Sequence, residues 1–296
     1  MAVRHRTLRD RAIRGLSDRR SMPELPEVET IRRDLEPELS GRVIIEVEVH
    51  KADIVLPPHD PDSFQRRLKG RRIVGVGRRA KYLLFHLDDD SILQVQLRMS
   101  GRFALGREAP DPAEFRHIAA RLQLDDGRTL FYDDMRRLGG LRLLDRRDWE
   151  LEATRLGPEP LEPGYRAADL ARTLAATRSP VKNALMDQRR VAGIGNIYAS
   201  EALFRAGVDP RRPGRDLGAH EVKRLHRTVR SVLREALQQA GTSFQNYRAV
   251  NGRSGEFQFS LDVYGRDGEP CRKCGEPIER IVQAGRSTFY CPSCQS

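Results

Sequence analysis

Met22-Pro23-Glu24-Leu25-Pro26-Glu27-Val28-Glu29 is the stretch from which this 296-residue chain is best read. If translation starts at Met22 and that methionine is trimmed, Pro23 carries a free secondary amine beside the Glu24 carboxylate. Such an amine attacks an electrophilic carbon and collapses to an iminium ion, as catalytic lysines do with carbonyls. A peptide-bonded proline nitrogen cannot, because amide resonance withdraws its lone pair. The same residues also read as a helix start, with prolines at its opening and acidic side chains on the positive end of its dipole. From Pro26 to Leu39, Val28, Ile31, Leu35 and Leu39 recur at helical spacing, and Gly41 ends the run.

Outward from this helix, the next hundred residues are strand-like. Val43–Val49 and Ile73–Val76 are β-branched runs, and Tyr82–Leu87 and Ile92–Leu97 flank the turn-prone residues 88–91. Ile118–Leu124, Leu130–Tyr132 and Leu141–Leu144 complete the set. The order predicts a β-sandwich carrying an N-terminal helix. The Pro/Gly-rich residues 156–164 read as a linker. Beyond them the pattern is helical, at Asp169–Ala176, Val181–Asp187, Asn196–Ala206 and Glu221–Ala240, the last with Val222, Leu225, Val229 and Leu233 on one face. Residues 241–262, rich in Gly, Asn and Ser, read as a mobile loop. The fold class is therefore α+β.

All four cysteines lie at the far end, as Cys271-x2-Cys274-x16-Cys291-x2-Cys294. Paired knuckles at this spacing point to zinc, although a redox dithiol or a disulfide staple can be built from the same residues. Four thiolates leave no open coordination position, so one zinc ion here is structural.

Net charge is +11, with Arg well ahead of Lys. The surplus suits a polyanion, and arginine suits bidentate phosphate contact; charge alone does not choose between DNA, RNA and an anionic membrane surface. Residues 1–21 supply +5 of it and leave the rest at +6. They lack the apolar core of a secretory signal and read as a basic extension absent from the mature protein. No apolar run approaches the length of a membrane span.

Several ordered stretches give the chain a family likeness. They are Met22–Thr30, Arg78-Arg79-Ala80-Lys81-Tyr82, Met99-Ser100-Gly101, Leu156-Gly157-Pro158-Glu159-Pro160-Leu161, Gly195–Glu201, Val263-Tyr264-Gly265-Arg266, and the cysteine module with Arg286–Tyr290. From Met22 to its end the sequence resembles the formamidopyrimidine-DNA glycosylases. The resemblance implies a catalytic β-sandwich over 22–155, a helix–two-turn–helix DNA-binding domain with a lesion-capping loop over 156–262, and a zinc finger over 263–296. It implies base-excision repair of oxidised purines (8-oxoguanine and formamidopyrimidines) in double-stranded DNA, and cleavage at abasic sites, by a cytoplasmic monomer.

Carried over residue by residue, the resemblance makes Pro23 the nucleophile at C1′. Glu24 becomes the acid that protonates the sugar oxygen, and a shielded cleft can give it the raised pKa this needs. Lys81 grips a phosphate, and Arg286 grips another while assisting elimination. Asn196 offers amide donors to the DNA backbone, with Arg178 and Lys182 as phosphate ligands. Met99 and Arg136 fill the space vacated by the everted base. Two departures stand out. Asp134-Met135-Arg136-Arg137-Leu138-Gly139 places Leu138 where the family carries an aromatic wedge, weakening stacking while keeping an apolar insert. A DNA-contacting histidine falls on Phe115, with His117 close by. The stretch Asn251–Phe257 resembles the purine-branch capping loop, which disfavours the sibling branch acting on oxidised pyrimidines. A non-catalytic DNA binder with Pro23 still blocked is the reading from another class.

Overall fold

The computed structural model describes residues 22–242 and 255–296. Its first lobe is a sandwich of two four-stranded antiparallel sheets. One runs in the order β1 (Ile44–Val49), β6 (Ile118–Leu124), β7 (Thr129–Asp134), β5 (Gly101–Gly106). The other runs β2 (Ile73–Arg79), β3 (Tyr82–Leu87), β4 (Ile92–Gln96), β8 (Gly140–Leu144). Leu83, Phe85, Val95, Leu122, Leu130 and Tyr132 fill the space between them. Helix α1 (Leu25–Leu39) adds Val28, Ile31, Leu35 and Leu39 to the same core, the face its spacing predicts. The near-continuous apolar run of β3 has a local cause. Its outer face is also covered, by Trp149 on α3 (Arg146–Ala153), which packs with Leu84, Ile92 and Leu144.

Three elements here have no counterpart in the sequence reading: β5, α3, and α2 (Pro61–Leu68), which Asp60 caps by accepting the Ser63 N–H at 2.8 Å. β5 begins and ends in glycine and has no β-branched residue. Each of the two helices offers too few apolar residues for periodicity to show.

The second lobe gathers α4 (Ala167–Ala175), α5 (Val181–Met186), α6 (Asn196–Ala206) and α7 (Ala219–Gln238). The finger's hairpin, β9 (Glu279–Gln283) and β10 (Arg286–Tyr290), follows. Cys271, Ile278, Phe289 and Cys291 share one buried cluster with Ile197, Leu203, Leu225 and Val229, so the finger and the helices have a common core. Buried Glu201 on α6 reinforces the joint by accepting the N–H groups of Asp262, Val263 and Tyr264 at 2.8–3.0 Å.

One expectation about connecting segments needs correction, and the other falls largely outside the described residues. The 156–164 segment is not a free linker. Glu159 is buried and accepts from Arg78 (2.9 Å), Arg79 (3.0 Å) and the Ala80 N–H (2.6 Å), tying the segment to the β2–β3 turn. The 241–262 segment is anchored at both ends. Thr242, Phe257 and Leu261 are buried, and the Phe257 N–H donates to the Gly241 carbonyl at 3.1 Å. Residues 243–254, which include most of the capping-loop stretch, lie outside the described residues, as does the 1–21 extension.

Candidate active site

A cleft of about 1100 Å³ opens between the lobes, and Pro23, Glu24, Lys81, Met99, Asn196 and Arg286 all line it. They arrive from five places: the start of α1, the β2–β3 turn, the β4–β5 turn, the start of α6 and the finger hairpin. Leu138 joins them from the β7–β8 loop. Arg136, on the same loop, is exposed and sets its guanidinium 3.1 Å from the Met99 sulfur. His117 and Arg178 are exposed but do not line the cleft.

Glu24 is fixed from the opposite lobe. Its carboxylate accepts the N–H of Gly195 at 2.6 Å and of Ile197 at 2.9 Å, at the positive end of α6. The Leu25 N–H meets the Gly193 carbonyl at 3.0 Å, so the first turn of α1 docks as a unit. A Cβ at 195 would stand 2.4 Å from the Glu24 carboxyl carbon and 2.5 Å from Lys81 Nζ, so any larger residue must displace one of these side chains. Burial pushes the Glu24 pKa up to about 7. The Lys81 charge opposes the rise, the neighbouring Glu27 adds to it, and the two amide donors oppose it again. Burial likewise lowers the Lys81 pKa, with Glu24 opposing and Arg286 and Arg98 reinforcing.

Glu27 escaped the sequence reading, although it stands in the opening stretch. Its buried carboxylate accepts the Glu24 N–H at 2.9 Å, the Thr242 N–H at 2.7 Å and the Tyr198 hydroxyl. One side chain thus holds the start of α1, the body of α6 and the foot of the 243–254 segment.

Lys182 is not at the surface, where a phosphate ligand belongs. It is fully buried, and its ammonium donates to Asn196 Oδ1 at 2.5 Å, Thr288 Oγ1 at 2.7 Å and the Ser287 carbonyl at 3.2 Å. Burial takes its pKa down to about 7, with Glu24 opposing and Arg286 reinforcing. Asn196 also differs from a simple helix cap. Gly195 holds the cap position, and the Asn196 amide donates to the Ser287 carbonyl at 2.9 Å. Lys182 and Asn196 together pin the finger hairpin to the start of α6. Such partners, about a hundred residues apart in sequence, leave no local signal.

Met99 lies in the β4–β5 turn and is half-buried. The neighbouring 134–139 loop is braced by Asp134, which accepts from the Ser100 hydroxyl and from the Gly139 N–H at 2.8 Å. At its tip Met135 and Leu138 are 51% and 50% exposed, an unusual display of apolar surface beside a cleft. Phe115 is half-buried beneath the Arg102 guanidinium, 4.1 Å from the ring centroid, which gives it a packing partner away from the cleft.

Backbone strain marks the same rim. Among the described residues, six non-glycines have positive φ, and four of them stand within two residues of a cleft side chain. They are Ala80 (+53°) before Lys81, Arg98 (+52°) before Met99, Arg137 (+50°) before Leu138, and Ala284 (+47°) ahead of Arg286. Left-handed non-glycine residues persist where surrounding structure over-determines them, commonly at functional sites.

The four cysteines bring their sulfurs within 4.8 Å of one another, with Cys271–Cys294 at 3.9 Å and Cys274–Cys291 at 3.5 Å. A tetrahedron of Zn–S bonds of about 2.3 Å has edges of about 3.8 Å, so the spacing fits one zinc ion with every position taken. These distances are far too long for disulfides.

A sandwich lobe and a helical lobe with a four-cysteine finger, closing on a cleft that holds a buried acid among cations, define a protein of the DNA glycosylase class. Residues 22–141 match the formamidopyrimidine-DNA glycosylase N-terminal domain, 156–247 its H2TH domain, and 268–296 the zinc finger found in FPG and IleRS. A formamidopyrimidine-DNA glycosylase of Chloroflexus aurantiacus is 45% identical, covering 93% of this chain and 98% of its own length. That of Geobacillus kaustophilus is 44% identical over 93% and 100%. The crystal structure of the Thermus thermophilus protein superposes with a TM-score of 0.82 at 43% identity, covering 92% and 98%. A Lactococcus lactis complex with abasic-site DNA gives 0.85 at 35%, covering 92% and 99%. The chain belongs to the formamidopyrimidine-DNA glycosylase family.

Proposed function

We propose that this protein removes oxidised purines from duplex DNA and cuts the resulting abasic site, using the Pro23 amine as nucleophile. The observation that carries this reading is that Pro23, although buried, lines the cleft together with Glu24 and Lys81. Attack of the amine on C1′ of an everted nucleotide expels the base and leaves an iminium linkage, from which β- and δ-elimination sever both flanking phosphates. The reaction needs Met22 and everything before it removed, since an acylated nitrogen is inert.

Glu24 supplies the proton to the sugar oxygen as the ring opens. With its pKa near 7 it holds a proton at neutral pH and still releases it readily. Lys81 and Arg286 grip phosphates beside the lesion, Asn196 holds the backbone with Lys182 behind it, and Met99, Arg136 and Leu138 occupy the gap left by the base. Arg178 and His117, outside the cleft, serve the flanking duplex. On this reading residues 22–155, 156–262 and 263–296 are the catalytic lobe, the helical DNA-binding domain and the finger, in a monomer of the cytoplasm. No described helix is long and apolar enough to cross a membrane. Similar Lactococcus lactis structures hold DNA containing Fapy-dG and, in one case, an oxidised pyrimidine, which supports oxidised-base DNA as the substrate; the purine preference rests on the likeness of residues 251–257 to the purine-branch capping loop.

Borohydride trapping on an 8-oxoguanine duplex tests the nucleophile. A chain beginning at Pro23 is expected to trap covalently, and Pro23→Gly to bind the lesion yet lose most strand cleavage. Full cleavage by Pro23→Gly would falsify the assignment.

A further inference from the structure

Most arginines of the described chain are matched to carboxylates, among them Arg78, Arg79, Arg128, Arg142, Arg205 and Arg212. Arg98 is not. It is exposed, lines the cleft, and its guanidinium makes no hydrogen bond or ion pair among the described residues. It also sits in the left-handed region, at φ +52°, where an L side chain other than Asn or Asp is uncommon. A turn that needs positive φ is served best by glycine. An arginine there strains the backbone to put a cation at one particular place. That place is close to the Lys81 amine, whose charged form Arg98 and Arg286 both disfavour. Arg98 and Arg286 face this space without a carboxylate partner among the described residues, beside a Lys81 whose one close carboxylate is the buried Glu24, and such a surplus of cations calls for an anionic ligand spread over several positions.

We infer that Arg98 is a phosphate-binding residue for the lesion-bearing strand, held in a strained backbone conformation so that its guanidinium extends the Lys81–Arg286 grip across the β4–β5 turn. The inference rests on the DNA reading of the cleft. A bidentate guanidinium suits a phosphate diester better than a base edge here, because Met99 beside it occupies the apolar part of the rim.

Arg98→Gly separates backbone from ligand. Glycine relieves the strain, so the melting temperature is expected to hold or to rise by about 2 °C, while affinity for a duplex with a stable abasic-site analogue falls. The slope of log K against log salt is expected to become shallower by about 0.9, one phosphate's worth. Arg98→Gln, which keeps a polar side chain and the backbone strain but removes the charge, is expected to show the same slope without the gain in stability. Asp90→Gly is the matched control, at another left-handed residue (φ +63°) on an exposed turn away from the cleft; it is expected to leave DNA binding alone. Unchanged affinity and slope in both Arg98 variants overturn the inference, and so does weaker binding with an unchanged slope. If the wild-type chain itself fails to bind the duplex, the DNA reading of the cleft falls instead.

Discussion

On the N-terminal side of the cleft, Glu24 and Glu27 are buried and accept hydrogen bonds from backbone amides and, for Glu27, from the Tyr198 hydroxyl. On the finger side, Arg280 and Arg286 stand exposed with no acidic partner among the described residues, Arg280 steadied only by the Ser287 hydroxyl at 3.0 Å. The first wall is dry and over-determined, so that an acid can keep an unusual pKa. The second is wet and open, so that cations are free to meet phosphate. Chemistry thus sits in a dry setting, while grip is shared between the open finger side and the Lys81 and Arg98 cations of the sandwich lobe. Substitutions on the dry wall should abolish rate with little effect on affinity, and those on the wet wall should do the reverse.

The largest expected effect tests the dry wall directly. Glu24→Gln should slow base release by about 10²- to 10⁴-fold, the usual worth of a general acid. In the unaltered protein, base release should fall as pH rises through about 7, because Glu24 then loses the proton it must donate. A Glu24→Gln rate that still shows that limb assigns it to another group. The sign for stability is the same. Glu24 titrates at about 7 folded against 4.5 ordinarily, so its contribution is complete below pH 4.5 and is lost as pH climbs through 7.

Next in size is Gly195→Ala. The added methyl must displace Glu24 or Lys81, and a shift of about 1 Å at a reacting group costs about 10²-fold in rate. Single-turnover base release would show it, with DNA affinity changed far less. An alanine variant of normal rate would mean that the wall can give way, and the contrast between the walls would lose its basis.

The wet wall is broken from behind by Cys274→Ser. Zinc measured by atomic absorption should fall below one per chain, and the salt slope of DNA binding should become shallower by about two as Arg280 and Arg286 lose their support. Normal binding without metal would separate the finger from the grip. The smallest effect belongs to Leu138→Ala. At 50% exposure the side chain contributes little to the fold, so stability should stay within about 0.5 kcal/mol. Discrimination of the base opposite the lesion, read from paired substrates, is where a change is expected.

The sequence made the dry wall's chemistry visible and hid its architecture. Pro23, Glu24 and the four cysteines announce themselves by residue type and spacing. The partners that make Glu24 an acid do not, because Gly195 and Ile197 are distant in sequence and contribute only backbone. Lys182 misled for a related reason. Lysine is almost never fully buried, so its type predicts a surface role that Asn196 and Thr288 overrule. Strands with β-branched runs were legible in β1 and β2, and apolar runs marked β3 and β4, whereas β5 had only a tertiary reason to extend. The Arg98 strain is a backbone fact with no sequence signature beyond its place before Met99.

The dependence of Glu24 on α6 has a consequence for synthesis. Its amide donors lie 171 and 173 residues further along, and a ribosome takes on the order of ten seconds to reach them. Until then the nascent chain carries the opening residues without the pocket that keeps Glu24 protonated. A product truncated before Gly195 therefore lacks both amide donors to Glu24, however well its sandwich folds. The acid at the start of the chain is thus completed only by residues made long after it.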